Sequence, residues 1–397
     1  MKKIIVKFEG LLVAAEIITA LFLIPYIVLL FYYRDGWLGL PEFVVPGNTS
    51  FQTPVSIIIS ARNEEKNIGD CIRSVMAQTY PEELFEVIIV DDFSTDSTAA
   101  IVDSFQEPNI RVLKLGDILP EKNINSYKKK AIESGIAIAK GSLIVTTDAD
   151  CIVHPQWLQH IAAFYETSAP VFIAAPVSYP DPLSSESFLK KFFRIFQLLD
   201  FMSLQGITGA SVNKQFHNMC NGANLAYEKQ AFMNVNGFEN IDNIASGDDM
   251  LLMHKIAAKF PGKTRYLKSA NAIVYTKEAE SIHEFFNQRI RWASKASVYP
   301  DLKITVVLLL VYLLNVWLLV LLIPAFFSIK YFYILLAATL VKVAGELIFL
   351  MPVAKFFKQR HLLWWFIPCQ PFHIMYTIIA GFLGKFGYYT WKERRVK

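Results

Sequence analysis

Three long apolar runs limit what this chain can fold into more than any other feature. Residues 11–33 are apolar but for Glu16 and Pro25, with Lys2, Lys3 and Lys7 before them and Arg34 after. Residues 304–328 and 331–351 are each long enough to cross a bilayer. Backbone inside lipid must satisfy its own hydrogen bonds, so such runs fold as helices. The first run is too long for a secretory signal core and no small-x-small cleavage site follows it, which makes it a retained anchor. A further stretch, 362–384, is broken by Pro368 and Pro371 and is expected to dip into the membrane and return, or to lie at its interface. Lys342 and Glu346 stand four apart within the third run, where they pair on one helix face and lower each other's cost in lipid. The loop 355–360 and the tail WKERRVK are basic and prefer the cytoplasm.

Composition agrees with a membrane protein. Hydrophobic residues make up 53% of the chain and charged residues only 19%, where soluble domains carry about a quarter. The formal charge of +4 comes without a basic tract in the polar middle, so nucleic acid is not an expected partner. Cys71, Cys151, Cys220 and Cys369 lack CxxC spacing. Neither a disulfide framework nor a zinc site is expected, and a reducing, cytoplasm-facing compartment fits.

Between the apolar runs, over roughly residues 50–300, the pattern changes. Ile- and Val-rich runs at 55–60, 86–92, 110–115 and 142–147 read as strands. Stretches at 65–78, 94–105 and 128–139 have helical spacing. Strand and helix in alternation predict a doubly wound, parallel α/β sheet, whose ligands sit at the carboxyl ends of the strands. The domain plan is therefore a short segment 1–10, an anchor 11–33, an α/β domain 50–300 and a membrane region 304–390 with two clear spans and the proline-broken segment. Suggestive polar residues fall at the expected strand ends: the stretch Arg62 to Glu65, Asp91 with Asp92, and Asp148 with Asp150.

Each of these has two readings. Asp91 and Asp92 can accept the imide N–H of a uracil or bind ribose hydroxyls, while Ser94 and Ser97 make the same stretch ordinary helix-capping material. Asp148 and Asp150, two apart after a strand, point the same way and form an oxygen-donor site for a hard divalent cation, or else a surface turn. Asp248 and Asp249 open a helix, where either complements the dipole; one of them can also serve as a general base toward an attacking hydroxyl. Lys128 leads a run of three lysines, which face a phosphate or only solvent. Asn221 and Gly222 suit a tight loop that hydrogen-bonds an acceptor sugar, or a plain turn. Gln288, Arg291 and Trp292 lie on an amphipathic helix just before the second span. There they anchor the helix at headgroup level, or neutralise a departing diphosphate and floor a sugar site. His154, His217, His254 and His283 have no metal spacing and read as structural.

Taken in order, PVSIIISARNEE, VIIVDDFSTDST, TTDADC with HPQWL after it, NGANLAY, SGDDMLL and QRIRW resemble the inverting family 2 glycosyltransferases. Their nucleotide-sugar-binding domain is a GT-A fold, and the match runs over about residues 53–295. The flanking spans are similar to those of membrane-integrated members such as cellulose, chitin and hyaluronan synthases and glycolipid transferases. The resemblance implies that Glu65, Asp91 and Asp92 contact the nucleoside and that Asp148 and Asp150 hold Mg2+ or Mn2+ with the donor diphosphate. It assigns Asp249 as catalytic base, with Asp248 where the family more often has Glu. Lys128, preceded by Tyr127 where the family has Gly, together with Gln288, Arg291 and Trp292, is assigned to the donor. The implied reaction is a single displacement that makes a β-linkage from an α-linked donor, with a UDP-sugar expected and a lipid or glycan as acceptor. The protein would be multi-pass in the cell (inner or plasma) membrane, among membrane lipids, with its catalytic domain cytoplasmic. The alternatives are a processive polysaccharide synthase of the same family, or a catalytically inactive scaffold or glycan-binding protein. Retention of Asp148, Asp150, Asp249 and Arg291 together speaks for the enzyme.

Overall fold

The computed structural model describes all residues except 1, 48, 120–125, 183–186, 245–246, 296–297, 300, 388, 392–393 and 397. Its helices in chain order are α1 (Lys2–Leu38), α2 (Ile68–Met76), α3 (Thr98–Asp103), α4 (Leu115–Ile118), α5 (Tyr127–Ile138), α6 (Trp157–Ser168) and α7 (Phe188–Asn213). They continue with α8 (Lys229–Asn234), α9 (Met250–Lys259), α10 (Ile282–Ser294), α11 (Leu302–Ala325), α12 (Ile329–Phe356) and α13 (Phe366–Phe386). The chain divides into two units, Gly39–Asp181 with Ile207–Glu278, and Met1–Leu38 with Pro182–Gly206 and Ala279–Lys397.

In the first unit the four Ile- and Val-rich runs become β1 (Val55–Ala61), β2 (Phe85–Asp91), β3 (Ile110–Lys114) and β4 (Leu143–Asp148). Continuous apolar runs are what a strand covered on both faces requires, and every residue of β1 except Ser60 is buried. Three short pairs, β5 (Ile152–Val153), β7 (Val177–Ser178) and β10 (Val274–Tyr275), make a separate small sheet. With β6 (Phe172–Ala174), β8 (Leu225–Glu228) and β9 (Thr264–Tyr266), the main sheet has seven strands in the order β3-β2-β1-β4-β8-β6-β9. It is mixed rather than wholly parallel, because β8 runs against both β4 and β6.

Register brings the chemistry together. Ala61 lies beside Asp91 and Ser60 beside Asp148, so the carboxyl ends of β1, β2 and β4 form one edge. At the opposite end Gly141 fits where no other residue can. Its N–H donates to Ser56 Oγ at 2.8 Å, and a Cβ there would stand 2.4 Å from the Ser56 backbone nitrogen. Gly141→Ala is expected to destabilise this unit by about 1–3 kcal/mol, the range for forced overpacking, measured as a lowered thermal midpoint with the active-site residues untouched.

The second unit is helical. α1 packs on α12 and α11, and α13 packs on α10 and α11. Among the described residues, four helical segments are long and apolar enough to span a bilayer: Glu9–Leu38, Leu302–Ala325, Ile329–Phe356 and Arg360–Phe386. Of the two placements expected for the proline-broken stretch, the dip and return does not form: a 3-10 turn, Arg360–Trp365, leads into the uninterrupted helix α13. Pro368 sits in the first turn, where the backbone N–H has no partner to lose, and Pro371 removes a single hydrogen bond from an otherwise intact helix. The expected pairing of Lys342 with Glu346 is present at 2.7 Å.

Candidate active site

The loops after β1 and β2 latch onto each other. Arg62 Nη1 donates to the carbonyls of Asp92 at 2.8 Å and Phe93 at 3.3 Å. Asn63 and Phe93 both adopt left-handed backbone, φ 51° and 53°. Asn63 Oδ1 accepts the Thr95 N–H at 2.9 Å, and its own N–H donates to Ser94 Oγ at 3.1 Å. Glu65 is tied to the second loop twice: its N–H donates to Asp96 Oδ2, and its Oε2 accepts the Ser97 N–H, both at 3.1 Å. One Glu65 oxygen is thus engaged in bracing the loop. Helix α3 starts at Thr98, later than its sequence pattern indicates, because residues 92–97 are committed to this latch. Its N-cap position is Ser97, which makes no side-chain capping bond; the Thr98 N–H is accepted instead by Asp96 Oδ1 at 2.9 Å. Partial burial pushes the Asp96 carboxyl up, but hydrogen bonds from Thr98 and the Glu65 backbone outweigh that and hold it below its usual range. Asp91 and Asp92 are buried at the end of β2. Asp91 Oδ1 has no hydrogen-bond partner among the described residues, although it is shut away from solvent. A buried carboxylate oxygen left in that state is poised to accept from a ligand.

The two acidic pairs meet at one lysine. Lys128, on α5, places Nζ 2.7 Å from Asp148 Oδ1 and 3.2 Å from Asp248 Oδ2. Burial pushes its ammonium down, but Asp148, Asp248 and Asp249 more than reverse this, so it stays charged. Asp249 caps α9, accepting the Met250 N–H on Oδ1 at 2.7 Å, and its Oδ2 accepts the Gly222 N–H at 3.1 Å. Gly222 sits at the junction: a Cβ there would lie 3.4 Å from both Asp248 Oδ2 and Lys128 Nζ. The other two lysines diverge. Buried Lys129 donates to the carbonyls of Ile241 and Ile244 at 2.6 and 2.7 Å, tying down the segment ahead of Asp248. Lys130 pairs with Glu133 at the surface.

Asp150 accepts from Thr276 Oγ1 at 3.1 Å, a partner the sequence gives no sign of. Behind the strand end lie Cys71 and Cys151, fully buried thiols that desolvation and the charges of Asp150 and Asp148 push well up. Among the described residues no cluster of three His, Cys, Asp or Glu could hold a metal by itself. Asp148 and Asp150 supply two hard oxygen donors at the strand edge. That donor set fits Mg2+ or Mn2+, which take one or two carboxylates and complete their shell with phosphate oxygens and water. It does not fit a closed, all-protein cage.

Asn221 spends its side-chain oxygen on the Ala223 N–H at 3.0 Å, making a turn. Asn224 is the anchor of that loop: fully buried, it donates to the carbonyls of Pro176 and Ala272, both at 2.8 Å, and accepts from Trp157 Nε1 at 3.0 Å. Its position two residues after Gly222 was the available signal. Gln288, Arg291 and Trp292 belong to the helical unit and are half-buried on α10. The buried charged residue of that motif is Arg289, which the sequence reading passed over; Ile290 beside it is buried as well.

Residues 56–232 match the model of Glycosyl transferase family 2. Glycosyltransferase AglE of Haloferax volcanii is 35% identical over 107 residues, 26% of this chain and 33% of that protein. Beta-monoglucosyldiacylglycerol synthase of Synechocystis is 30% identical over 125 residues, 31% of this chain and 25% of that one. The chain thus matches a third or less of the length of these relatives. Among solved structures, the mannosyltransferase PcManGT of Pyrobaculum calidifontis, in complex with GDP-Man and Mn2+, superposes with TM-score 0.57 and 16% identity, covering 94% of this chain and 99% of that one. That likeness concerns the fold. The chain carries a family 2 glycosyltransferase domain on a GT-A fold, flanked by candidate membrane helices.

Proposed function

We propose that this protein is a membrane-bound inverting glycosyltransferase that moves one sugar from a nucleotide sugar, with a UDP-sugar expected, to a membrane lipid. The observation that carries it is the Lys128 bridge, which brings the Asp148 and Asp248 carboxylates to one ammonium with Asp249 at the same junction. Asp249 takes the proton from the acceptor hydroxyl; the oxygen attacks the anomeric carbon, and the nucleoside diphosphate leaves from the opposite face. A divalent cation held by Asp148 and Asp150 would neutralise charge developing on that diphosphate. Asp91 and Asp92 are assigned to the nucleoside, Gly222 to holding Asp249, Asn221 to the acceptor side, and Gln288, Arg291 and Trp292 to the donor. A lipid acceptor and a β-linkage are supported by the relative named as beta-monoglucosyldiacylglycerol synthase. The catalytic unit is placed in the cytoplasm, where nucleotide sugars and reduced thiols both reside.

The test uses the full chain in lipid nanodiscs with UDP-glucose, UDP-N-acetylglucosamine and GDP-mannose as donors. Release of nucleoside diphosphate should require Mg2+ or Mn2+. Asp150→Ala should lower kcat/KM by about 10–100-fold, the usual effect of weakening a metal site, with partial recovery at high Mn2+. Turnover unaffected by both EDTA and Asp150→Ala would remove the metal assignment. A retained α-anomer in the product would remove the single displacement.

A further inference from the structure

In the helical unit, one carboxylate on α7 organises the motif on α10. Asp200 is buried, and its Oδ2 accepts from Arg289 Nη2 at 2.6 Å and from Arg289 Nε at 3.0 Å. Its Oδ1 accepts from the Tyr376 hydroxyl of α13, with His373 Nε2 4.0 Å away. Both oxygens are therefore engaged, and the ion pair is closed to solvent, 3% and 5% exposed. The guanidinium held in this way lies 4.5 Å from the Phe285 ring centre and also meets two neighbours that carry the motif. Nη1 donates to Gln288 Oε1 at 2.6 Å, and Cζ lies 4.3 Å from the Trp292 ring centre. Phe201, next to Asp200 in sequence, lies beside the same indole, with ring centres 6.1 Å apart. Ile290 packs on Ala380 of α13, with Phe286 and Tyr376 alongside.

We propose that Asp200 is a positioning residue for sugar transfer: through Arg289 it fixes the amide of Gln288 and the ring plane of Trp292. Apolar residues would pack these helices together without a buried charge pair. What the pair adds is direction: with Nε and Nη2 held on Asp200, the plane of the guanidinium is set, and in that plane Nη1 meets Gln288 while Cζ lies against the Trp292 and Phe285 rings. The inference rests on the assignment of α10 to the donor made above. A spare arginine in QRIRW and a lone aspartate in a greasy helix were the sequence signs of it.

The full chain in nanodiscs, assayed with the three donors and Mn2+, separates the possibilities. Asp200→Asn should lower kcat by about 100-fold, the scale of a misplacement near 1 Å, and change the donor KM far less. In a Trp292→Ala background the same substitution should cost less than about 2-fold more, because residues acting as one unit are not additive. Losses that multiply would overturn the positioning role while leaving the assignment of α10 standing. Normal turnover in Trp292→Ala would overturn that assignment, and this inference with it. A second measurement needs no turnover: the emission of Trp292, taken as the difference between the parent and Trp292→Phe. It should shift in Tyr376→Phe, which removes one hydrogen bond without stranding the guanidinium, and shift further in Asp200→Asn. An unmoved spectrum in both overturns the proposal.

Discussion

Asp249→Asn should abolish most transfer, lowering kcat by about 10²–10⁴-fold, the range for losing a general base, while the protein stays folded. The fold survives because an asparagine oxygen can still accept the Met250 N–H that Asp249 Oδ1 accepts now at 2.7 Å, and Asn caps helices about as well as Asp. What disappears is the capacity to take a proton. Asp248→Asn is the informative comparison. It removes one of the two carboxylates on Lys128, at 3.2 Å, and leaves the other, Asp148, at 2.7 Å. It should therefore raise the donor KM and lower kcat by a smaller factor. Thermal midpoints within a few degrees of the parent would confirm that both variants are folded. If Asp249→Asn turned over normally and Asp248→Asn did not, the base would be Asp248, and Asp249 would be a helix cap only.

Much of the sheet was legible because its central strands are continuous Ile and Val runs, which only a doubly covered strand explains. The expected runs 55–60, 86–92, 110–115 and 142–147 differ from β1 to β4 by no more than one residue at any end. Strands β5 to β10 escaped because each is two to four residues long, shorter than any period can register. Antiparallel β8 sits beside β4 although some eighty residues separate them, and no local pattern carries that information. The site divides in the same way. Residue type and the step of two exposed Asp148 and Asp150, but nothing along the chain told that Lys128 would meet Asp148 and Asp248, or that Thr276 would meet Asp150. A turn back within 362–384 was expected because a proline was weighted by its presence rather than by its place within the helix.

Glu346→Ala is expected to be the most damaging substitution for stability, at about 3–5 kcal/mol, the cost of stranding one partner of a buried ion pair. Lys342 is 1% and Glu346 9% exposed. The pair is embedded in further bonds: Lys342 Nζ donates to Gln370 Oε1 at 2.8 Å, Gln370 Nε2 to Glu346 Oε2 at 3.0 Å, and Tyr26 to Glu346 Oε1 at 2.5 Å. Helices α1, α12 and α13 are thereby joined through one carboxylate. Removing it leaves an ammonium inside an apolar bundle with only an amide to face, and three helices lose their common acceptor. The double variant Lys342→Met/Glu346→Met tests whether charge or shape matters. It strands no charge, so it should regain more than half of the lost stability, falling short by the hydrogen bonds that Gln370 and Tyr26 no longer make. Unfolding by SDS titration in mixed micelles measures both. A double variant as weak as Glu346→Ala would mean that the polar bonds, not the unpaired charge, dominate. Since α13 also carries Tyr376, which bonds Asp200, loosening α13 from α12 should shift the Trp292 emission as well, linking the stability of the bundle to the posture of α10.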